Sequence, residues 1–95
     1  MIPVDISPQA YQEIVAIKNT KGIPEDYYLR IGVRGGGCSG VDYFVGFDQE
    51  KSSDQVFDVE GIKVLIEKKD FMHLIGVSLD FVEYDNERGF EFNKD

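Results

Sequence analysis

The amino-acid sequence predicts a compact, β-rich α+β domain: a twisted or partly rolled, mainly antiparallel sheet with one N-terminal helix and one short helix. Three observations predict it. Several short runs alternate apolar and polar residues with period two, as half-buried strands do. Turn-forming residues separate those runs at short intervals. Helical spacing is confined to one stretch near the N-terminus and one brief stretch later, without the regular alternation of helix and strand that a parallel sheet needs. At 95 residues the chain is expected to be a single domain over residues 1–95 with a thin core.

Ser7-Pro8 opens the first helix: the serine hydroxyl accepts from an orphan amide and the proline suits the first helical position. Ala10, Ile14 and Ile17, flanked by Tyr11 and Val15, form the apolar stripe, with Gln12, Glu13 and Lys18 on the wet side. Gly22 is placed to end the helix before Pro24. Tyr28–Arg34 then alternates with Leu29, Ile31 and Val33 on one face, and Val41–Phe47 with Val41, Tyr43, Val45 and Phe47 on one face. A polar loop, Lys51-Ser52-Ser53-Asp54, leads to Gln55–Asp58, which pairs with Ile62–Ile66 across a turn at Glu60-Gly61. Lys68–Ile75 puts Phe71, Leu74 and Ile75 on one side of a short helix closed by Gly76. Val77–Val82 returns as a strand, and Asp85–Gly89 connects it to a last strand at Phe90–Phe92.

A formal charge of −8 and a pI near 4.5 argue against nucleic acid, whose phosphates need a basic stripe that Lys68-Lys69 is too short to supply. Apolar runs fall well short of the ~20 residues of a membrane span, and the N-terminus lacks a signal-peptide pattern, so a soluble cytoplasmic protein without a membrane partner is expected. The single cysteine closes no intramolecular disulfide. Cys38 stands among Gly35, Gly36, Gly37 and Gly40, without the apolar neighbours of a core cysteine, which marks it as a reactive or ligating thiol.

Several motifs fail on context. Gly35, Gly37 and Gly40 match G-x-G-x-x-G, but a dinucleotide site needs a helix to open at the last glycine, and a strand follows instead. An anion cradle would need an arginine six residues after the cysteine, where Phe44 stands. His73 is the single histidine available as a base for a thiol nucleophile, and a non-enzymatic role is preferred. Metal sites of zinc or iron–sulphur type want about four protein donors. One Cys and one His leave the remainder to another subunit, a small thiol or a delivering partner. Asp80, Glu83, Asp85, Glu87, Glu91 and Asp95 mark the wet side of strands, and Tyr43, Phe44 and Phe47 read as packing.

Leu29-Arg30-Ile31-Gly32-Val33-Arg34-Gly35-Gly36-Gly37-Cys38-Ser39-Gly40 resembles the signature of the A-type iron–sulphur cluster carriers, the HesB/IscA-like family. Tyr43 and Phe47, Gly61-Ile62-Lys63-Val64, Leu79-Asp80-Phe81-Val82 and Gly89-Phe90-Glu91-Phe92 extend the likeness over nearly the whole chain. The resemblance implies a HesB-like β-rich fold, a homodimer or higher homo-oligomer, and a role in iron–sulphur cluster assembly that passes iron or a cluster to recipient apoproteins. Cys38 matches the first of the family's three ligand cysteines and is the expected metal ligand, with Gly37, Ser39 and Gly40 shaping the cofactor-binding backbone around it. The other two ligands belong to a C-terminal Cys-Gly-Cys, and the sequence through Asn93-Lys94-Asp95 contains none, so iron or a cluster is incompletely ligated by this chain alone. The alternative is a non-cluster interaction module whose acidic face, Glu83, Asp85 and Glu87, docks a basic partner.

Overall fold

The computed structural model describes residues 2–35 and 41–94. Two compact units divide the chain, one formed by Pro24–Leu74 and the other by Ile2–Ile23 with Ile75–Asp95.

In the second unit, β1 (Asp5–Ile6) leads into helix α1 (Pro8–Thr20), and β6 (Val77–Tyr84) and β7 (Glu87–Lys94) complete a sheet of order β1-β6-β7. The β6–β7 pair is antiparallel and β1 runs parallel to β6. Ser7 caps α1 as expected, its Oγ accepting from the Ala10 N–H at 3.0 Å. The same hydroxyl donates to Asp80 Oδ1 at 2.6 Å, which ties the helix start to β6. Ala10 and Ile14 are buried where α1 meets β6, with Val4, Val77 and Leu79 also buried. The helix ends at Thr20, and Gly22 follows with φ of 65°, a left-handed conformation that costs glycine little. Phe81 and Phe90 meet edge to face at 5.1 Å across β6 and β7. Arg88 lies over Phe81 and pairs with Glu13 and Glu83.

The first unit carries a sheet of order β3-β2-β5-β4. Strand β2 (Tyr27–Gly35) pairs antiparallel with β3 (Val41–Gln49) at every position from Tyr27↔Gln49 to Gly35↔Val41. Strands β4 (Asp54–Val59) and β5 (Ile62–Glu67) form the expected hairpin, and Glu60 and Gly61 both take positive φ, as a two-residue primed turn requires. On its other edge β2 runs parallel to β5 through Leu29↔Val64 and Arg30↔Leu65. The central position of β2 explains why Leu29, Arg30, Ile31 and Gly32 are all buried although the sequence alternates. Ile62, Val64, Leu65, Ile66 and Leu74 are the other buried apolar residues among the described residues of this unit.

Burying Arg30, 5% exposed, demands partners for a permanent charge. Its Nη1 and Nη2 donate to the two oxygens of Asp54 at 2.7 and 2.6 Å. Nε donates to Asp48 at 2.9 Å and Nη2 also reaches the Gln49 carbonyl at 3.2 Å. The Asp54 side chain is itself fully buried and accepts the Lys51 N–H as well. The hydrogen bonds from Arg30 hold the Asp54 carboxyl below its ordinary 3.8, and Asp54 in turn raises the Arg30 guanidinium. Asp48 is also lowered, first by the N–H of Gln49 and then by Arg30.

The α+β, β-rich class with mainly antiparallel pairing and two helices is observed. Its strands are shared between two sheets, each with one parallel pairing that the sequence does not signal. Asp54, read as loop, begins β4 because Arg30 draws it in. The last strand begins at Glu87 instead of Phe90, since the connection tightens to Asp85-Asn86 between the paired Tyr84 and Glu87. The short helix is a 3-10 turn, Lys68–Asp70, followed by α2, Phe71–Leu74. Ile75 lies beyond it and is 49% exposed, because the chain turns out towards Gly76, whose φ is 84°.

Arg30→Ala leaves the Asp54 carboxylate buried without its charge partner and is expected to cost about 3–5 kcal/mol, read by urea denaturation. The Asp54 and Asp48 carboxyls are lowered in the folded protein, so below the ordinary value the unfolded chain binds more protons. Their contribution is full above that value and is lost as pH falls through the folded one. The urea midpoint should therefore hold from pH 7 to about 5 and fall below about 4, and Asp54→Asn should flatten that acid limb.

Candidate functional site

The residues singled out by sequence, Cys38 with Gly37, Ser39 and Gly40, lie outside the described residues. What the structure supplies is the frame on either side of them. Gly35 and Val41 are paired, so β2 and β3 deliver the two ends of the segment 36–40 to adjacent positions. Inward from that pair come Arg34↔Asp42, Val33↔Tyr43 and Gly32↔Phe44. Alternation places Gly32, Arg34, Asp42 and Phe44 on one face of the ribbon and Val33 and Tyr43 on the other.

The first face is closely packed. A Cβ on Gly32 would stand 2.8 Å from the Phe44 ring and 2.9 Å from Asp70 Oδ2, so the glycine is required by close approach and not by an unusual φ. The Arg34 guanidinium sits 4.7 Å from the centroid of the Phe44 ring, a cation–π arrangement that covers the ring on its way to solvent. Asp70, 4% exposed, comes from the 3-10 turn that follows β5. Its Oδ2 accepts from the Val33 N–H at 3.4 Å, and Lys69 Nζ lies 3.5 Å from Oδ1.

Sequence reasoning passed over Asp70 and Arg30. Asp70 reads as one more charge in Lys68-Lys69-Asp70, and nothing local marks it as buried. Arg30 reads as the polar side of an alternating strand until β5 and the Asp48–Asp54 pair close over it. His73 lies in α2 with an exposed side chain. Phe44 packs on Gly32, as its reading as a packing residue expected. Asp80, read as wet-side charge, is held below its ordinary value first by the Ser7 hydroxyl and then by the Phe81 N–H. Of the acidic residues proposed as a docking face, Glu83 is engaged by Arg88 at 3.3 Å. Among the described residues no group of three or more His, Cys, Asp or Glu is arranged to hold a metal ion, and no helix is long and apolar enough to cross a membrane.

A β-rich α+β fold is what the HesB/IscA-like resemblance implied, and that class is observed. The chain belongs to the iron–sulphur cluster biosynthesis family, whose model matches residues 2–95. It is 41% identical over 91 residues to the iron-binding protein IscA of Yersinia enterocolitica, an alignment covering 95% of this chain and 83% of that one. Its fold is similar to the crystal structure of Escherichia coli SufA, a protein involved in biosynthesis of iron–sulphur clusters, with a TM-score of 0.77 and 24% identity over 96% of this chain and 79% of the other. It is also similar to the crystal structure of IscA with the [2Fe-2S] cluster, with a TM-score of 0.72 and 24% identity over 96% of this chain and 81% of that one.

Gly32→Ala inserts a methyl group between the Phe44 ring and the Asp70 carboxylate. It is expected to destabilise the protein by about 1–3 kcal/mol, as overpacking of a filled site does, and Gly32→Ala/Phe44→Leu should recover part of that loss in the same denaturation measurement.

Proposed function

We propose that this protein binds iron or an iron–sulphur cluster as cargo through the Cys38 thiolate and passes it to recipient apoproteins, without catalysing a reaction of its own. The observation that carries this reading is the family match over residues 2–95, which spans the lone cysteine and the strands on both sides of it. The iron-binding relative and the cluster-bearing structural neighbour give the cargo its chemical class. Gly37, Ser39 and Gly40 are assigned the backbone around the thiolate, where small residues let the chain approach a bulky sulphide cluster.

Cys38 is the one thiol in the sequence and is the donor this reading assigns to the chain. A homodimer brings two thiolates, half of the four that a [2Fe-2S] centre takes. A small thiol such as glutathione, cysteines of an assembly protein, or those of the recipient would complete the set. Such shared ligation suits transfer: incoming thiolates of the recipient replace first the small-thiol ligands and then the two Cys38 thiolates, which leaves the cluster on the recipient. The reading places the protein in the cytoplasm, as a homodimer or higher homo-oligomer among assembly proteins and apoprotein clients, with no nucleic-acid or membrane partner.

Anaerobic reconstitution with ferrous iron, sulphide and glutathione tests this. Wild type is expected to develop sulphur-to-iron charge-transfer absorbance in the visible range and Cys38→Ser to lose it. Identical featureless spectra from the two proteins would overturn the reading.

A further inference from the structure

We propose that Asp70 is a positioning residue for the cysteine segment, holding the C-terminal half of β2 in the register from which Cys38 is presented. The part of this that concerns a cluster rests on the function proposed above. The part that concerns the thiol does not.

The need for such a residue follows from the topology. Strand β2 has β5 as its parallel neighbour at Leu29 and Arg30, but β5 ends at Glu67 and the chain turns away into the 3-10 turn. Val33, Arg34 and Gly35 continue beyond that pairing with β3 on one edge. A two-stranded ribbon is marginal by itself in water, and its end is where pairing frays first. That end leads directly into residues 36–40.

Asp70 stands where the next residue of a third strand would be. Its Oδ2 accepts the Val33 N–H, doing on that edge what a backbone carbonyl does in a sheet. Because Gly32 has no side chain, the carboxylate also reaches the strand's face, where it and the Phe44 ring close over the glycine. Phe44 carries the constraint to β3 and, through the Arg34 guanidinium at 4.7 Å, to the residue next to Gly35. The carboxylate is buried, and among the described residues no buried side-chain polar atom lacks a hydrogen bond, so Asp70 has given up water for these contacts. Taking it away leaves Val33 with an open edge, whereas replacing it with another acceptor of the same shape does not.

The test compares full-length wild type, Asp70→Ala and Asp70→Asn by NMR amide exchange and, without metal, by the rate of Cys38 alkylation with iodoacetamide. Asp70→Ala is expected to speed exchange at Val33 and Phe44 at least tenfold while Leu29 stays near wild type, and to change the alkylation rate at least threefold. Asp70→Asn, whose amide oxygen still accepts, should restore both. After reconstitution, cluster lifetime should fall in Asp70→Ala and recover in Asp70→Asn. Wild-type exchange at Val33 with wild-type alkylation in Asp70→Ala would overturn the proposal, as would an equal acceleration of every β2 amide or failure of Asp70→Asn to rescue. If Asp70→Ala does not fold, Asp70→Ser replaces it, its shorter hydroxyl giving intermediate exchange and alkylation if the proposal holds and wild-type values if it does not. Absence of a cluster in wild type, with the alkylation pattern intact, would remove the cargo reading and leave the positioning role standing.

Discussion

A guanidinium in the central strand of a four-stranded sheet cannot shed its charge, so the structure around Arg30 has to be arranged to keep it. The arrangement draws on three separate parts of the chain: the end of β3 at Asp48 and Gln49, the turn at Lys51, and the first residue of β4 at Asp54. Breaking the pair would strand a buried ion, while keeping it ties two strands that are not neighbours in the sheet, β3 and β4, to β2 and to one another. The pairing of β2 with β5 brings Leu65 alongside Arg30, so the charge sits at the step where the parallel and antiparallel ladders share β2. From that anchored point β2 runs outward to Gly35.

The second unit solves a smaller version of the same problem. Ser7 caps α1 and at once donates to Asp80, so a local helix signal and a strand residue distant in sequence are joined by one hydroxyl. The Leu79-Asp80-Phe81-Val82 run therefore has a division of labour: Leu79 is buried, Asp80 holds the helix start, and Phe81 packs against Phe90 beneath Arg88. A residue that looks like solvent-side polarity is a structural acceptor.

Seen from the cysteine segment, the two strands deliver its ends and the Gly32–Phe44–Asp70 packing stiffens the delivery. For the ligand role proposed for Cys38 such stiffness is useful, since a donor held at a defined place loses less freedom when it binds.

By itself the sequence determined the class of the fold, the hairpin turn at Glu60-Gly61, the capped start of α1 and the two strands flanking the glycines, and it singled out the lone cysteine as the candidate ligand. These are local facts: period-two alternation, a serine before a proline, positive φ at a glycine, a thiol without apolar neighbours. Family likeness then supplied the cargo class, because the glycine–cysteine signature and its downstream companions recur in order along the chain. What only the tertiary structure decided were the burial of Arg30 and Asp70, the parallel pairings of β1 with β6 and β2 with β5, the division of strands into two sheets, and the exposure of Ile75. Each of these depends on which strand lies beside which, and a side chain's charge or size does not encode its neighbours across the sheet. Arg30 and Lys63 look equally solvent-facing in their alternating runs; the strand order buries the first and leaves the second exposed over the Tyr28 ring.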